Sequence, residues 1–190
     1  DAFKKQFEAL ELSRQIEDAD AEAKTLGFIG ILYNDIGEYR KAIQYLLPAV
    51  IIYEKLPGKF KGAFVLSNLG DSYIFFGMKD SALFYIREAY EKFGEQDRSH
   101  LWSFVLMHMG KIYAEIGEND SALKFYNDEI INCRISNDKL NLSQAQKYIA
   151  DVYQSVGKYD SSLYYARDAY TTAQSVPVKR QMLQASGLLA

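Results

Sequence analysis

The 190-residue chain is 48% hydrophobic and 25% charged, has 3 prolines, and intersperses its acids and bases, a composition that fits a soluble helical domain. A net charge of −3 leaves no basic stripe for phosphates, which excludes nucleic-acid binding as a leading function. No run approaches the roughly 18 uninterrupted apolar residues that span a bilayer, so direct membrane insertion is not expected. The single cysteine, Cys133, excludes an internal disulfide and fixes no compartment.

One spacing organises the rest. Gly30, Tyr33 and Gly37 return as Gly70, Tyr73 and Gly77, as Gly110, Tyr113 and Gly117, and as Ala150, Tyr153 and Gly157, each set 40 residues after the last (70−30, 110−70, 150−110). A fixed period of about 20 to 50 residues marks a stacked array in which each unit buries its apolar face against its neighbours.

In chain order, residues 1–18 read as the second helix of a truncated repeat, because Ala2 and Ala9 lie one period before Ala42 and Ala49. Four full repeats follow at 23–56, 63–96, 103–136 and 143–176. The first helix of each carries Leu26, Gly30 and Tyr33 or their counterparts at helical spacing, so the small residue admits a partner helix and the tyrosine fills the next turn. Gly37, Gly77, Gly117 and Gly157 then supply a residue tolerant of the left-handed conformation. The second helix opens at Arg40, Asp80, Asp120 and Asp160; the acids are placed to satisfy free backbone donors and the helix dipole. Tyr45, Tyr85, Phe125 and Tyr165 follow, then Ala49, Ala89 and Ala169. Breaker-rich stretches at Leu56–Lys59, Gly94–Asp97 and Ser136–Asp138 read as turns or short helix extensions between hairpins. Residues 177–190 read as the first helix of another truncated repeat, ending on Ala190 in register with Gly30. The whole is expected to be a single array cut from a longer array or a larger protein.

The pattern resembles the tetratricopeptide repeat, most closely in Leu69-Gly70-Asp71-Ser72-Tyr73, Gly77, Ala82-Leu83 and Ala89-Tyr90. It departs from that family in Glu129 for the late alanine, Ala150 for glycine, Ser162 for alanine, and the period of 40. Such longer repeats resemble those of bacterial peptide-sensing regulators, kinesin light chains and tetratricopeptide-containing sensor histidine kinases, and the wording of Tyr159–Tyr165 looks most like the last. The resemblance implies an all-α, right-handed superhelical array of antiparallel helix hairpins with a concave groove for a protein or peptide partner. Carried onto this register, the groove displays Asn34, Asp35, Asn68, Asp71, Phe75, Met107, His108, Lys111, Glu115, Tyr148, Asp151 and Gln154, where aromatic and Met side chains give apolar contacts and amides and charges fix direction. Some members clamp a C-terminal carboxylate; here those positions hold Gly27, Ile31, Asn68, Phe104 and His108, and only Asn68 matches, so no such clamp is expected.

No enzyme, metal site or cofactor is expected. His100 and His108 are about 12 Å apart along a helix, too far to share a metal unaided. Gly-rich phosphate loops and nucleophile elbows are absent. Cys133 reads as core, and the recurring tyrosines as packing. Glu129, in place of a small buried residue, has two readings: a slight helix rotation that carries the carboxylate to solvent, which is the expectation, or a widened junction beside Met107 or Lys111. The predicted function is a protein-interaction or sensing region of a larger, bacterial signalling protein. The alternative is a scaffold that assembles, as a homodimer or further, through open ends bearing Phe3, Phe7, Leu10, Leu183 and Leu188.

Overall fold

The computed structural model describes residues 2–57, 62–93 and 100–176, and every regular element among them is an α-helix. The helices are α1 (Ala2–Gln15), α2 (Ala19–Asp35), α3 (Tyr39–Lys55), α4 (Ala63–Phe75), α5 (Lys79–Phe93), α6 (His100–Glu115), α7 (Asn119–Ser136), α8 (Lys139–Ser155) and α9 (Tyr159–Gln174). None of them is long and apolar enough to cross a membrane. The predicted turn at Gly94–Asp97, Gly58 and Lys59, and the segment 177–190 with Leu183 and Leu188 lie outside the described residues, as does the side chain of His100.

The chain forms two compact units, residues 1–116 and 117–190. In the first, α2 pairs with α3 and α4 with α5, while α2, α4 and α6 also touch in succession along one side. Glycine explains how close these helices come. A Cβ on Gly30 would meet Leu46 Cγ at 2.5 Å and the Ala42 carbonyl at 3.2 Å, and one on Gly27 would meet Val65 Cγ2 at 3.1 Å. Leu46, Ile29, Leu69, Ile86 and Ile112 are fully buried at these junctions, each contributing about 2 kcal/mol from burial. The tyrosines pack as stacked pairs, Tyr33 on Tyr45 at 5.4 Å and Tyr73 on Tyr85 at 5.3 Å. Each hairpin turns on a glycine with positive φ, +76° at Gly37 and +90° at Gly77.

The ends of the helices differ from the sequence expectation in two ways. Asp80, Asp120 and Asp160 do lie in first turns, yet the capping residues Glu38, Glu118 and Lys158 make no side-chain cap, so these acids act on the dipole alone. Side-chain caps occur instead on first helices, from Asp18 to Ala21 N at 3.0 Å and from Asp138 to Leu140 N at 3.1 Å. That is why α2 and α8 begin at 19 and 139, ahead of the predicted unit starts at 23 and 143. In α1, Phe3 and Phe7 meet Tyr33 and Tyr45, and Leu10, expected on an open end, is buried; Ala9, the counterpart of buried Ala49, is exposed.

In the second unit α8 packs on both α7 and α9. Tyr126 stacks on Tyr148 and Tyr153 on Tyr165, and Gln146 donates a hydrogen bond to Asp168. Cys133 is core, as expected, at 1% exposure. Glu129 corrects the sequence reading: its carboxylate does not reach solvent but is fully buried, accepting from Cys133 Sγ at 2.9 Å and facing Asn132 Nδ2 at 3.5 Å. Donors one turn along the same helix help to hold a carboxylate where the register calls for a methyl group.

Candidate functional site: a recess on the first helices

The outward side of α2, α4 and α6 encloses a recess of about 380 Å³. Its wall on α2 is Ile31, Asn34 and Asp35; on α4, Asn68, Asp71 and Phe75; on α6, Phe104, His108 and Lys111; Tyr39 closes it from the start of α3. The three- and four-residue spacings on each helix put these side chains on one face.

Its floor is a buried ion cluster. Asp71, 7% exposed, takes Lys111 Nζ on Oδ2 at 2.6 Å and His108 Nδ1 on Oδ1 at 2.8 Å. Burial alone would push this carboxyl up, but the charges and hydrogen bonds of His108 and Lys111 outweigh it and hold the group below its ordinary value. Beside the cluster, Asn34 Nδ2 donates to the Asn68 carbonyl at 3.1 Å and Asn34 Oδ1 accepts from Ser72 Oγ at 2.8 Å, tying α2 to α4. Asn68 Nδ2 donates to the Phe64 carbonyl at 2.8 Å. The aromatic wall is continuous. Phe75 stacks on Tyr39 with centroids 5.2 Å apart and receives Lys111 Nζ 4.8 Å from its ring, while Phe104 lies between Phe64 and His108.

Of the residues predicted for the groove, Asn34, Asp35, Asn68, Asp71, Phe75, His108 and Lys111 come together here. Met107 is half-buried on α6 and does not line the recess, and Glu115 is exposed at the end of that helix. Tyr148, Asp151 and Gln154 belong to the second unit, where Tyr148 packs on Tyr126 and exposed Asp151 pairs with Lys147 at 2.9 Å. Sequence reasoning did not place Tyr39 and Ser72. Tyr39 stands two residues beyond turn glycine Gly37, a signal that the second helix lends its first residue to the same face. Among the described residues no group of three His, Cys, Asp or Glu side chains could hold a metal ion.

Hairpins whose first helices form a recessed, partly apolar surface define the class as a helical-repeat solenoid. Residues 21–93 match the model of the tetratricopeptide repeat family, and helix hairpins recur beyond them. The fold is similar to BtubC (BKLC) from P. vanneervenii, at 21% identity over 92% of this chain and 74% of that one, with a TM-score of 0.76. It is also similar to a signal transduction ATPase with a tetratricopeptide repeat sensor from Pyrococcus horikoshii, at 17% identity, 96% and 28% coverage and a TM-score of 0.76. A third likeness is a Rap protein complexed with Competence and Sporulation Factor, at 15% identity, 90% and 58% coverage and a TM-score of 0.70. No curated protein matches the chain in sequence.

Proposed function

We propose that the chain is a non-catalytic interaction module of a larger signalling protein and that it holds an extended peptide or a helix of a protein partner in the recess of its first unit. The observation that carries this reading is the convergence of Asn34, Asn68, Asp71, Phe75, His108 and Lys111, from three helices, around one recess of about 380 Å³. A surface of this kind is preorganised. Its ion pair and amide bridges are already formed within the fold, so a visiting chain gains contact without reordering long side chains. Asn68 Oδ1 and the second N–H of Asn34 are left to meet a partner backbone, and the exposed part of Phe75 offers an apolar anchor. The Rap protein and the ATPase sensor, similar in fold, are consistent with a sensing role in which a bound partner alters hairpin packing and so biases an attached output domain.

The experiment is a selection of random dodecapeptides on the intact chain, followed by calorimetry with wild type and Phe75→Ala. Binding weakened about tenfold or more by Phe75→Ala is expected, as for a central aromatic anchor. Selected peptides that bind both proteins equally would overturn this site.

A scaffold that assembles through the exposed face of α9 is the second reading. Leu163, Tyr164 and Tyr170 are more than half exposed there, while Val50 and Ile130, register counterparts of Tyr170, are buried in α3 and α7. Light scattering of wild type and Tyr164→Glu decides it: concentration-dependent dimers lost in the variant support the scaffold, and a monomer throughout removes it.

A further inference from the structure

We infer that the recess selects a cationic side chain, arginine or lysine, of the segment it binds, seated between the Asp35 carboxylate and the aromatic wall. The inference rests on the peptide-binding reading above and adds the chemistry of the occupant.

The positive charge in the recess is already committed. Lys111 is the recess ammonium, and it sits 2.6 Å from a carboxylate that is buried. Drawing it away toward an acidic visitor would strand Asp71 in a low-dielectric floor, a loss that the new contact has to exceed before any net gain. His108 Nδ1 lies 2.8 Å from the other oxygen of the same carboxylate, although the N–H direction does not complete a hydrogen bond. The ammonium of the floor, Lys111, is therefore satisfied within the protein.

Asp35 is not. It lines the mouth of the recess, is exposed, and has no ion pair or side-chain hydrogen bond among the described residues. It is also the last residue of α2, where a negative charge faces the negative end of the helix dipole. The fold gains nothing from a carboxylate at this position, and a neighbouring cation would improve it. The other walls suit the same visitor. Tyr39, Phe75 and Phe104 offer ring surface, and Phe75 already holds one cation at 4.8 Å. A planar guanidinium can lie along an aromatic ring while donating to a carboxylate, which favours arginine over lysine. Charge complementarity thus leaves unclaimed negative charge at the mouth, beside surfaces that accept a delocalised cation.

The test uses the intact chain and the dodecapeptide selection, run in parallel on wild type and Asp35→Asn. Enrichment of Arg and Lys on wild type, with selected basic peptides bound about five- to tenfold more weakly by Asp35→Asn, is the expected result. Replacing the selected Arg by Gln in the peptide lowers affinity for wild type by a similar factor and leaves affinity for Asp35→Asn nearly unchanged. Peptides that depend on Phe75 but carry Asp, Glu or no charge bias overturn the cation inference and leave the peptide-binding reading in place. Absence of any Phe75-dependent peptide overturns both.

Discussion

Lys111 Nζ meets Asp71 Oδ2 at 2.6 Å across one full period of the array, 40 residues apart in sequence. The pair joins α4 to α6, so the register that makes the repeat also places its central charge contact. Lys111→Met leaves the buried carboxylate with His108 alone and is expected to lower stability by about 1–2 kcal/mol in urea melts at neutral pH. The sign of the pH effect follows from the depressed carboxyl of Asp71. Its contribution is complete above the ordinary value of 3.8 and is lost as pH falls through the lower folded value. Asp71→Asn should therefore flatten the acid limb of the stability profile below about pH 4. An acid limb as steep as that of wild type would contradict the assignment.

Two glycines in the same register should respond differently to alanine. At Gly30 a Cβ runs into Leu46 Cγ at 2.5 Å, close to the backbone of α3, whereas at Gly70 nothing lies closer than the flexible end of Ile112 at 3.1 Å and the Ala82 carbonyl at 3.3 Å. Gly30→Ala is expected to destabilise by about 1–3 kcal/mol. Gly70→Ala should lie within about 1 kcal/mol of wild type, because relief of glycine's helix penalty offsets the squeeze. Thermal melts of the two variants compare them directly; a Gly30→Ala protein as stable as wild type would mean the helices can separate at little cost.

These glycines show how much the sequence carried. Periodicity located the helices and their small-residue contacts, because these depend on spacing alone; the face that carries Asn34, Asn68, Asp71, Phe75, His108 and Lys111 was read from the family resemblance carried onto that register. Pairing within that face was not legible. Nothing in a one-dimensional register says that Asp71 will take both His108 and Lys111, or that Tyr39 of the next helix will stack on Phe75. Caps were misread for a related reason: an Asp in a first turn and an Asp one residue before it look alike in sequence, but only the second, as at Asp18 and Asp138, reaches a backbone donor.

Glu129 sets register against structure. By register an alanine belongs there, and a substitution toward the repeat consensus is commonly stabilising. The structure predicts the opposite for Glu129→Ala, because it empties a fully buried site and removes the acceptor of the Cys133 Sγ hydrogen bond. A loss of about 1–3 kcal/mol is expected in denaturant unfolding. A gain would show that the carboxylate is strained in its site.

Asp35→Asn removes a charge opposed to the dipole of α2 and breaks no contact. Its melting temperature should match wild type or rise slightly, by the equivalent of about 0.3–1 kcal/mol at low salt. A clear fall would reveal a structural role for the carboxylate and would have to be separated from any change in binding.

Among the described residues, each helix of the first unit packs only against helices one or two places away in the chain. Closing such contacts needs only short loops, which favours rapid folding that can start at any hairpin and spread to its neighbours. The same locality shapes how the unit comes apart. A pull applied to one end meets no long-range clamp, so hairpins peel away in turn. The Asp71–Lys111 pair, spanning α4 and α6, then behaves as a latch on a single seam.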